Sequence, residues 1–200
     1  MNAELVAVGT EILLGDIVNT DAQVISQGLS ELGIDVFYQT VVGDNPDRLE
    51  RVSREAADRA DIIITTGGLG PTLDDPTKET PARVFGKEME LHEPSLERIR
   101  AFFERIGREM TPNNEKQAWL PKGCTVFVNE WGTAPGCAFE ADGKHVIMLP
   151  GPPRECEPMF QQCAMPYLYP LAGGCIVSRN IRVFGLGASA MEARLHDLME

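Results

Sequence analysis

Over the first 66 residues, short apolar runs alternate with amphipathic stretches, and this alternation restricts the fold more than any other feature of the chain. Residues 4–9 (ELVAVG) form a brief apolar run closed by glycine, which fits a buried strand. Asn19 or Thr20 can cap a helix in which Ala22, Ile25, Leu29 and Leu32 recur at helical spacing and which Gly33 ends. Residues 34–42 read as a second strand. Asn45 and Pro46 open a second helix with Leu49, Val52 and Ala56 on one face. Residues 61–66 (DIIITT) are a third strand, apolar without alternation, as in a strand covered on both sides. Strand, helix, strand, helix, strand at this density predicts an α/β domain on a parallel sheet with right-handed crossovers.

Further along, the spacing predicts a helix over 94–107 with a Leu96, Ile99, Phe103, Ile106 stripe, and a short helix over 112–119. Strands are expected at 124–128 and 144–149, with 137–140 pairing to the latter across Asp142-Gly143. A helix over 152–171 is interrupted by Pro158 and Pro166, followed by a strand over 176–184 and a helix over 188–200. Gly173-Gly174 is the candidate linker, dividing a main domain, 1–172, from 173–200, the start of a small additional α+β module.

Composition removes other classes. Hydrophobic residues at 43% and charged residues at 24% are ordinary for a folded domain and exclude disorder or a collagen-like chain. No apolar run approaches the roughly 18 to 20 residues of a membrane span, and the N-terminus lacks a basic region before its short apolar run. The five cysteines are odd in number and form no Cys-x-x-Cys, which points to free thiols and a cytoplasmic setting. Thirty acidic against 18 basic residues give a net charge of −12, which disfavours nucleic acid as a partner. The same charge repels free anions, so a phosphorylated ligand needs a metal ion or a local cluster of N–H donors.

Parallel α/β sheets bind ligands beyond the carboxyl ends of their strands. Four segments follow such ends: Gly9-Thr10-Glu11 through Asp16, Gly43-Asp44-Asn45, Thr65-Thr66-Gly67-Gly68-Leu69-Gly70-Pro71 through Asp74-Asp75, and Pro150-Gly151-Pro152-Pro153. In the third, glycines at 67, 68 and 70 let backbone N–H groups converge on an anion, and the carboxylates of Asp74 and Asp75 follow. Phosphate-cradling glycines beside acids make sense where a divalent cation bridges the two. Neither a P-loop lysine nor the third glycine of a dinucleotide fingerprint is present. A plainer reading makes this a glycine turn with Asp74 and Asp75 capping the next helix. By the same reasoning Asn19 is an N-cap, Asp44 an Asx-turn residue before Pro46, and Lys116 a solvated lysine on a short helix. The histidines form no cluster and read as surface or packing residues.

Together the strings Gly9-Thr10-Glu11-Ile12-Leu13-Leu14-Gly15-Asp16, Thr40-Val41-Val42-Gly43-Asp44-Asn45, 65–75, Met110-Thr111-Pro112-Asn113-Asn114, Gly132-Thr133-Ala134-Pro135-Gly136 and Leu149-Pro150-Gly151-Pro152-Pro153 resemble the N-terminal domain of the CinA (competence/damage-inducible) family. That family lies within the molybdopterin-binding MoaB/MogA superfamily. The resemblance implies a three-layer α/β/α fold with a mostly parallel central sheet. It implies a metal-dependent hydrolase that splits ADP-ribose into AMP and ribose 5-phosphate with Mg²⁺, Mn²⁺ or Co²⁺. It also implies an alternative, a molybdopterin-binding or adenylating protein of molybdenum cofactor assembly; a vestigial scaffold is a third reading. Family members carry a C-terminal nicotinamide mononucleotide deamidase, an activity not transferred to these residues. Carried over residue by residue, Glu11 and Asp75 hold the metal. With Asp44 and Lys116 they form the catalytic set. Gly9, Thr10, Asn19, Thr66, Gly67, Gly68, Gly70, Pro71, Asp74 and Gly151 contact substrate or phosphate. A homodimer is expected, because 93–119 carries more apolar residues, among them Phe102 and Phe103, than covering one face of a sheet requires.

Overall fold

The computed structural model describes residues 1–72, 75–174 and 182–199, with residues 196–199 described by backbone alone. In chain order the elements are β1 (Asn2–Val8), α1 (Thr10–Leu14), α2 (Thr20–Glu31), β2 (Asp35–Val42), α3 (Pro46–Arg59), β3 (Ile62–Thr66), α4 (Glu79–Val84), β4 (Met89–Leu91) and α5 (Glu93–Arg105). A 3₁₀ turn (Pro112–Ala118), β5 (Trp119–Pro121), β6 (Thr125–Phe127), β7 (Gly136–Ala141), β8 (Lys144–Leu149), α6 (Pro153–Met159), a π segment (Phe160–Ala164), α7 (Met165–Leu168) and α8 (Ala188–Met199) follow.

Six strands form one sheet in the order β2-β1-β3-β8-β7-β6. The β2, β1, β3 and β8 strands run parallel, and β7 is antiparallel to both β8 and β6. Register aligns Ala7 with Thr66 and Thr66 with Leu149, so three strands end level at one edge. Ile25 and Leu29 of α2 pack with Ile62, Ile64, Ile147, Met159 and Phe160 on one face of the sheet. Leu49, Val52 and Ala56 of α3 pack with Val6, Ile63, Val146 and Leu69 on the other. The result is a helix–sheet–helix stack with an apolar core on both sides of a mostly parallel sheet, as the apolar run of β3 requires.

The structure departs from the sequence reading at particular points. The three-residue strands β4 and β5 form a separate antiparallel ribbon, too short to show a period. The 152–171 helix is not broken at its prolines: Pro158 lies inside α6, and the backbone widens to a π turn before Pro166 in α7. The strand expected over 176–184 lies largely outside the described residues, and residues 182–184 are not strand. Cys124, Cys137, Cys156 and Cys163 are free thiols; Cys175 lies outside the described residues. Among the described residues no helix is long and apolar enough to cross a membrane.

The segment expected to mediate pairing forms its own small core. Leu96 and Ile99 of α5 bury against Ala118, with Leu91, Phe103 and Met110 around them. Phe102 and Phe103 meet edge to face at 5.8 Å. Phe102 turns away from that core and lines a groove of about 330 Å³ with Ile99, Val128 and Pro135.

The contact between α2 and the α6 run is close-packed at Gly28, where an added Cβ would lie 2.5 Å from Cε1 of the fully buried Phe160. Helix propensity alone favours alanine over glycine by roughly 1 kcal/mol. Overpacking a core costs about 1–3 kcal/mol. Gly28→Ala should therefore lower the denaturation midpoint, measured by urea unfolding, and a raised midpoint would show that the Phe160 ring has room to move.

Candidate functional site

The level strand ends open into a cleft of about 560 Å³. Of the sequence-predicted residues, Glu11, Asn19, Asp44, Thr66, Gly67, Gly68, Gly70, Asp75 and Gly151 all line it. Gly9, Thr10 and Pro71 adjoin it in sequence, and Asp74 lies outside the described residues.

The turn after β3 is built by close backbone approach. Gly67 (φ +89°) donates its N–H to the Leu149 carbonyl at 3.1 Å, and a Cβ on it would lie 2.2 Å from the Val8 carbonyl oxygen. Gly68 (φ +65°) would place a Cβ 2.1 Å from Thr77 Oγ1. Both positions therefore require glycine, for torsion and for space. Among the described residues no backbone acceptor takes the Gly68, Leu69 or Gly70 N–H, which leaves three successive amides at the cleft wall. Successive free amides in such a turn attract an anion.

The carboxylates are not idle. Asp44 Oδ2 accepts from the Thr10 N–H at 2.9 Å and the Thr10 hydroxyl at 2.8 Å, so it caps α1 and does not form an Asx turn before Pro46. Asp75 Oδ2 accepts from Thr72 N at 2.9 Å and Thr72 Oγ1 at 2.5 Å, closing the loop on itself; it does not cap α4, which begins at Glu79. Asn19 both caps α2, accepting from Ala22 N at 3.1 Å, and lines the cleft. His92 caps α5 through Nδ1, and His145 Nδ1 lies 3.0 Å from the Tyr167 hydroxyl.

Lys116 is neither a solvated lysine nor a side chain lining the cleft. Its Nζ donates to the Thr72 and Asp75 carbonyls, each at 2.8 Å, from behind the loop. Lys78, which the sequence reading missed, continues this support. It is 1% exposed, and its Nζ donates to the Gln117 carbonyl at 2.6 Å and the Lys116 carbonyl at 3.3 Å. Burial pulls its ammonium down to about 8, partly offset by Cys137 and Glu79. No local pattern marks Lys78, because its burial arises from a contact 39 residues away.

Asp21 and Glu155 also escaped the sequence reading. Both are buried, and both line the cleft from the first turns of α2 and α6. Glu155 Oε2 accepts from Asn129 Nδ2 at 2.9 Å. Burial raises the Asp21 carboxyl to about 6; a hydrogen bond with Cys156 works against this and the charge of Glu157 adds to it.

Among the described residues the cleft thus carries five carboxylates, Glu11, Asp21, Asp44, Asp75 and Glu155, and no lining Lys, Arg or His. A phosphate entering it needs a counter-charge. No three His, Cys, Asp or Glu side chains among the described residues gather as a metal-holding group. Two carboxylates completed by water and substrate phosphate are, however, the usual donor set of Mg²⁺. Glu11 and Asp75, the pair the sequence reading assigns to a metal, both line the cleft, and among the described residues Asp75 Oδ1 has no donor.

A mostly parallel sheet with helices on both faces, and with a glycine turn and acidic side chains at its carboxyl edge, is an α/β domain of the doubly wound kind. Residues 4–170 match the family described as "Probable molybdopterin binding domain", and the chain belongs to that family. A relative from Acetivibrio thermocellus, named "Putative competence-damage inducible protein", is 56% identical over the whole chain and 48% of its own length. A CinA-like protein of Dictyoglomus turgidum is 51% identical over the whole chain and 49% of its own. The chain spans about half the length of these relatives. The crystal structure of CinA from Thermoplasma acidophilum superposes with a TM-score of 0.74 at 38% identity, covering 83% of this chain and 96% of that one. The molybdopterin biosynthesis enzyme MoaB of Thermus thermophilus shares the fold, with a TM-score of 0.56 at 22% identity over 86% and 92% of the two chains.

The Asp21 shift has a defined sign. Its folded value lies above the 3.8 of an ordinary aspartate, so the folded state holds this proton more tightly. Its stabilising contribution is complete below about pH 4 and is lost as pH rises through about 6. Asp21→Asn removes the titration. Its stability relative to wild type should rise between pH 4.5 and 7.5 by up to about 3 kcal/mol. Thermal unfolding of both proteins across that range measures it, and parallel pH profiles would assign Asp21 an ordinary value.

Proposed function

We propose that the cleft binds a phosphorylated heterocycle of the molybdopterin type, with the phosphate on the Gly67–Gly70 turn and the ring between the first turns of α2 and α6. The observation that carries this reading is the run of Gly68, Leu69 and Gly70 amides, which have no backbone acceptor among the described residues, on a cleft whose volume suits a ligand of that size. The family match and the fold shared with MoaB support it. Glu11 and Asp75 would hold a divalent cation, which supplies positive charge to the phosphate and acidity to bound water. Thr72 positions Asp75, and Lys116 holds the loop carbonyls so that the amides face the cleft.

A second reading is favoured by the convergence of Glu11, Asp44 and Asp75 on one cleft: hydrolysis of ADP-ribose to AMP and ribose 5-phosphate. There the same amides would take charge developing on the phosphoryl oxygens, and water would displace one phosphate from the diphosphate bridge.

Incubation with ADP-ribose and Mg²⁺, Mn²⁺ or Co²⁺, followed by product analysis, separates the two. AMP formation abolished by EDTA supports hydrolysis; binding of phosphorylated ligands without turnover supports the binding reading. In either case Gly68→Ala should lower ligand affinity at least tenfold, because its Cβ collides with Thr77 and its φ is positive. Unchanged affinity would remove the turn from the site.

The groove beside Phe102 supports a further part of the reading, a homodimer paired through α5. Light scattering should give a particle of twice 21.9 kDa, and Phe102→Asp should halve it. A wild-type particle of 21.9 kDa at micromolar concentration would overturn the pairing.

A further inference from the structure

Cys124 and Cys137 meet on one face of the β6–β7 pair. The register sets Val126 opposite Cys137, and Cys124 lies two residues before Val126, on the same side. Both cysteines pack in the apolar core on the α3 side of the sheet. Both are free thiols, and the two hydrogen-bond each other.

Their surroundings give them different chemistry. Cys124 is half-buried in the turn that leads into β6, between exposed Gly123 and Thr125, so a small solute reaches it. Cys137 is fully buried within the sheet. The hydrogen bond with Cys137 holds the Cys124 thiol below its ordinary range; burial works against this, and the buried Lys78 ammonium favours the thiolate. The same bond, with burial, holds Cys137 well above that range. A reachable thiol favoured as thiolate, beside a buried thiol that stays protonated, is the arrangement of an attacking and a resolving cysteine. Cys163, another half-buried thiol, is pushed up by burial.

We propose that Cys124 and Cys137 form a reversible disulfide when the chain meets a hydroperoxide, and that this bond clamps the β6–β7 hairpin. The Cys124 thiolate attacks the peroxide oxygen and the O–O bond breaks. The leaving alkoxide, hydroxide in the case of hydrogen peroxide, takes the proton that Cys124 gave up. Cys124 is then a sulfenic acid. Cys137 Sγ attacks Cys124 Sγ, the S–O bond breaks, and hydroxide leaves with the Cys137 proton as water. The peroxide gains the two electrons that the thiols lose.

A disulfide brings its Cβ atoms to about 3.8 Å. Cys137 is paired on both sides, to β6 and to β8, so the movement comes from the 121–124 turn, which the Cys124 N–H closes on the Pro121 carbonyl at 3.1 Å. The crosslink encloses the 128–135 loop. Thr133 and Ala134 of that loop line the cleft, and its Asn129 donates to Glu155. Oxidation therefore restrains one wall of the cleft and leaves the glycine turn untouched.

The test treats the chain with hydrogen peroxide at neutral pH, blocks the remaining thiols, and maps its peptides by mass spectrometry with and without dithiothreitol. The expected product is a Cys124–Cys137 linkage, two hydrogens lighter than the reduced pair and lost with dithiothreitol. Cys124 should react about tenfold or more faster than Cys163. In Cys137→Ser the Cys124 sulfenic acid should persist and be trapped by dimedone. Oxidised wild type should unfold at higher urea concentration than reduced, because the crosslink restricts the unfolded chain. A wild-type sulfenic acid at Cys124 without a disulfide, first reaction at Cys163, or pairing of Cys124 with any other cysteine would overturn the inference. An unchanged urea midpoint would overturn the clamp. The wild-type map decides the point even where Cys137→Ser, a change inside the core, folds poorly.

Discussion

The contact on which the site depends is between two backbones, that of Gly67 and that of Val8. Parallel pairing brings β1, β3 and β8 to their ends in register, and Gly67 then ties the turn to Leu149 while passing over the Val8 carbonyl with no room for a side chain. Any other residue there would push the turn off the edge and carry the Gly68, Leu69 and Gly70 amides with it. The same level edge places α1, α2 and α6 so that their first turns face one space. Site and sheet therefore share a cause: the strands end together because uninterrupted apolar runs fix their pairing from both faces.

Charge explains the rest of the site's form. A cleft with five acids and no basic lining side chain among the described residues is a poor host for phosphate by itself. Positive charge has instead been placed behind the loop. Lys78 holds the backbone at Lys116 and Gln117, and the Lys116 side chain holds the backbone at Thr72 and Asp75. This relay holds the loop backbone with two ammonium groups, neither of which is among the residues that line the cleft. On the reading proposed for the cleft, a metal ion held by Glu11 and Asp75 would supply that counter-charge and would couple ligand and cation binding.

Legibility in the sequence follows the range of the interactions. Strands β1 to β3, helices α2 and α3 and the Asp142-Gly143 hairpin announce themselves through local period, cap and turn chemistry. The Gly67–Gly70 turn is legible because glycine spacing reports a local backbone need. The roles of Asp44 and Lys116 were not, since each depends on a partner 34 to 44 residues away. Asp75 shows the opposite failure: its partner, Thr72, is three residues distant, yet the string fits a helix cap equally well. Strands β4 and β5, three residues each, carry too few positions for any period to register.

Asp21 illustrates the limit most clearly. In the sequence it is one more acid in a helix's first turn, where the macrodipole welcomes negative charge and the surface is its ordinary place. Only the packing of α2 against α6 buries it beside Cys156. The dipole of α2 and the thiol offset part of the cost of that burial, but its Oδ1 keeps no donor from the described protein. Replacing the acid by an apolar residue would relieve the strain if stability were the sole constraint, since an unpaired buried acid is costly. The contact that buries the acid joins two helices far apart in the chain, so no local pattern in α2 could announce it.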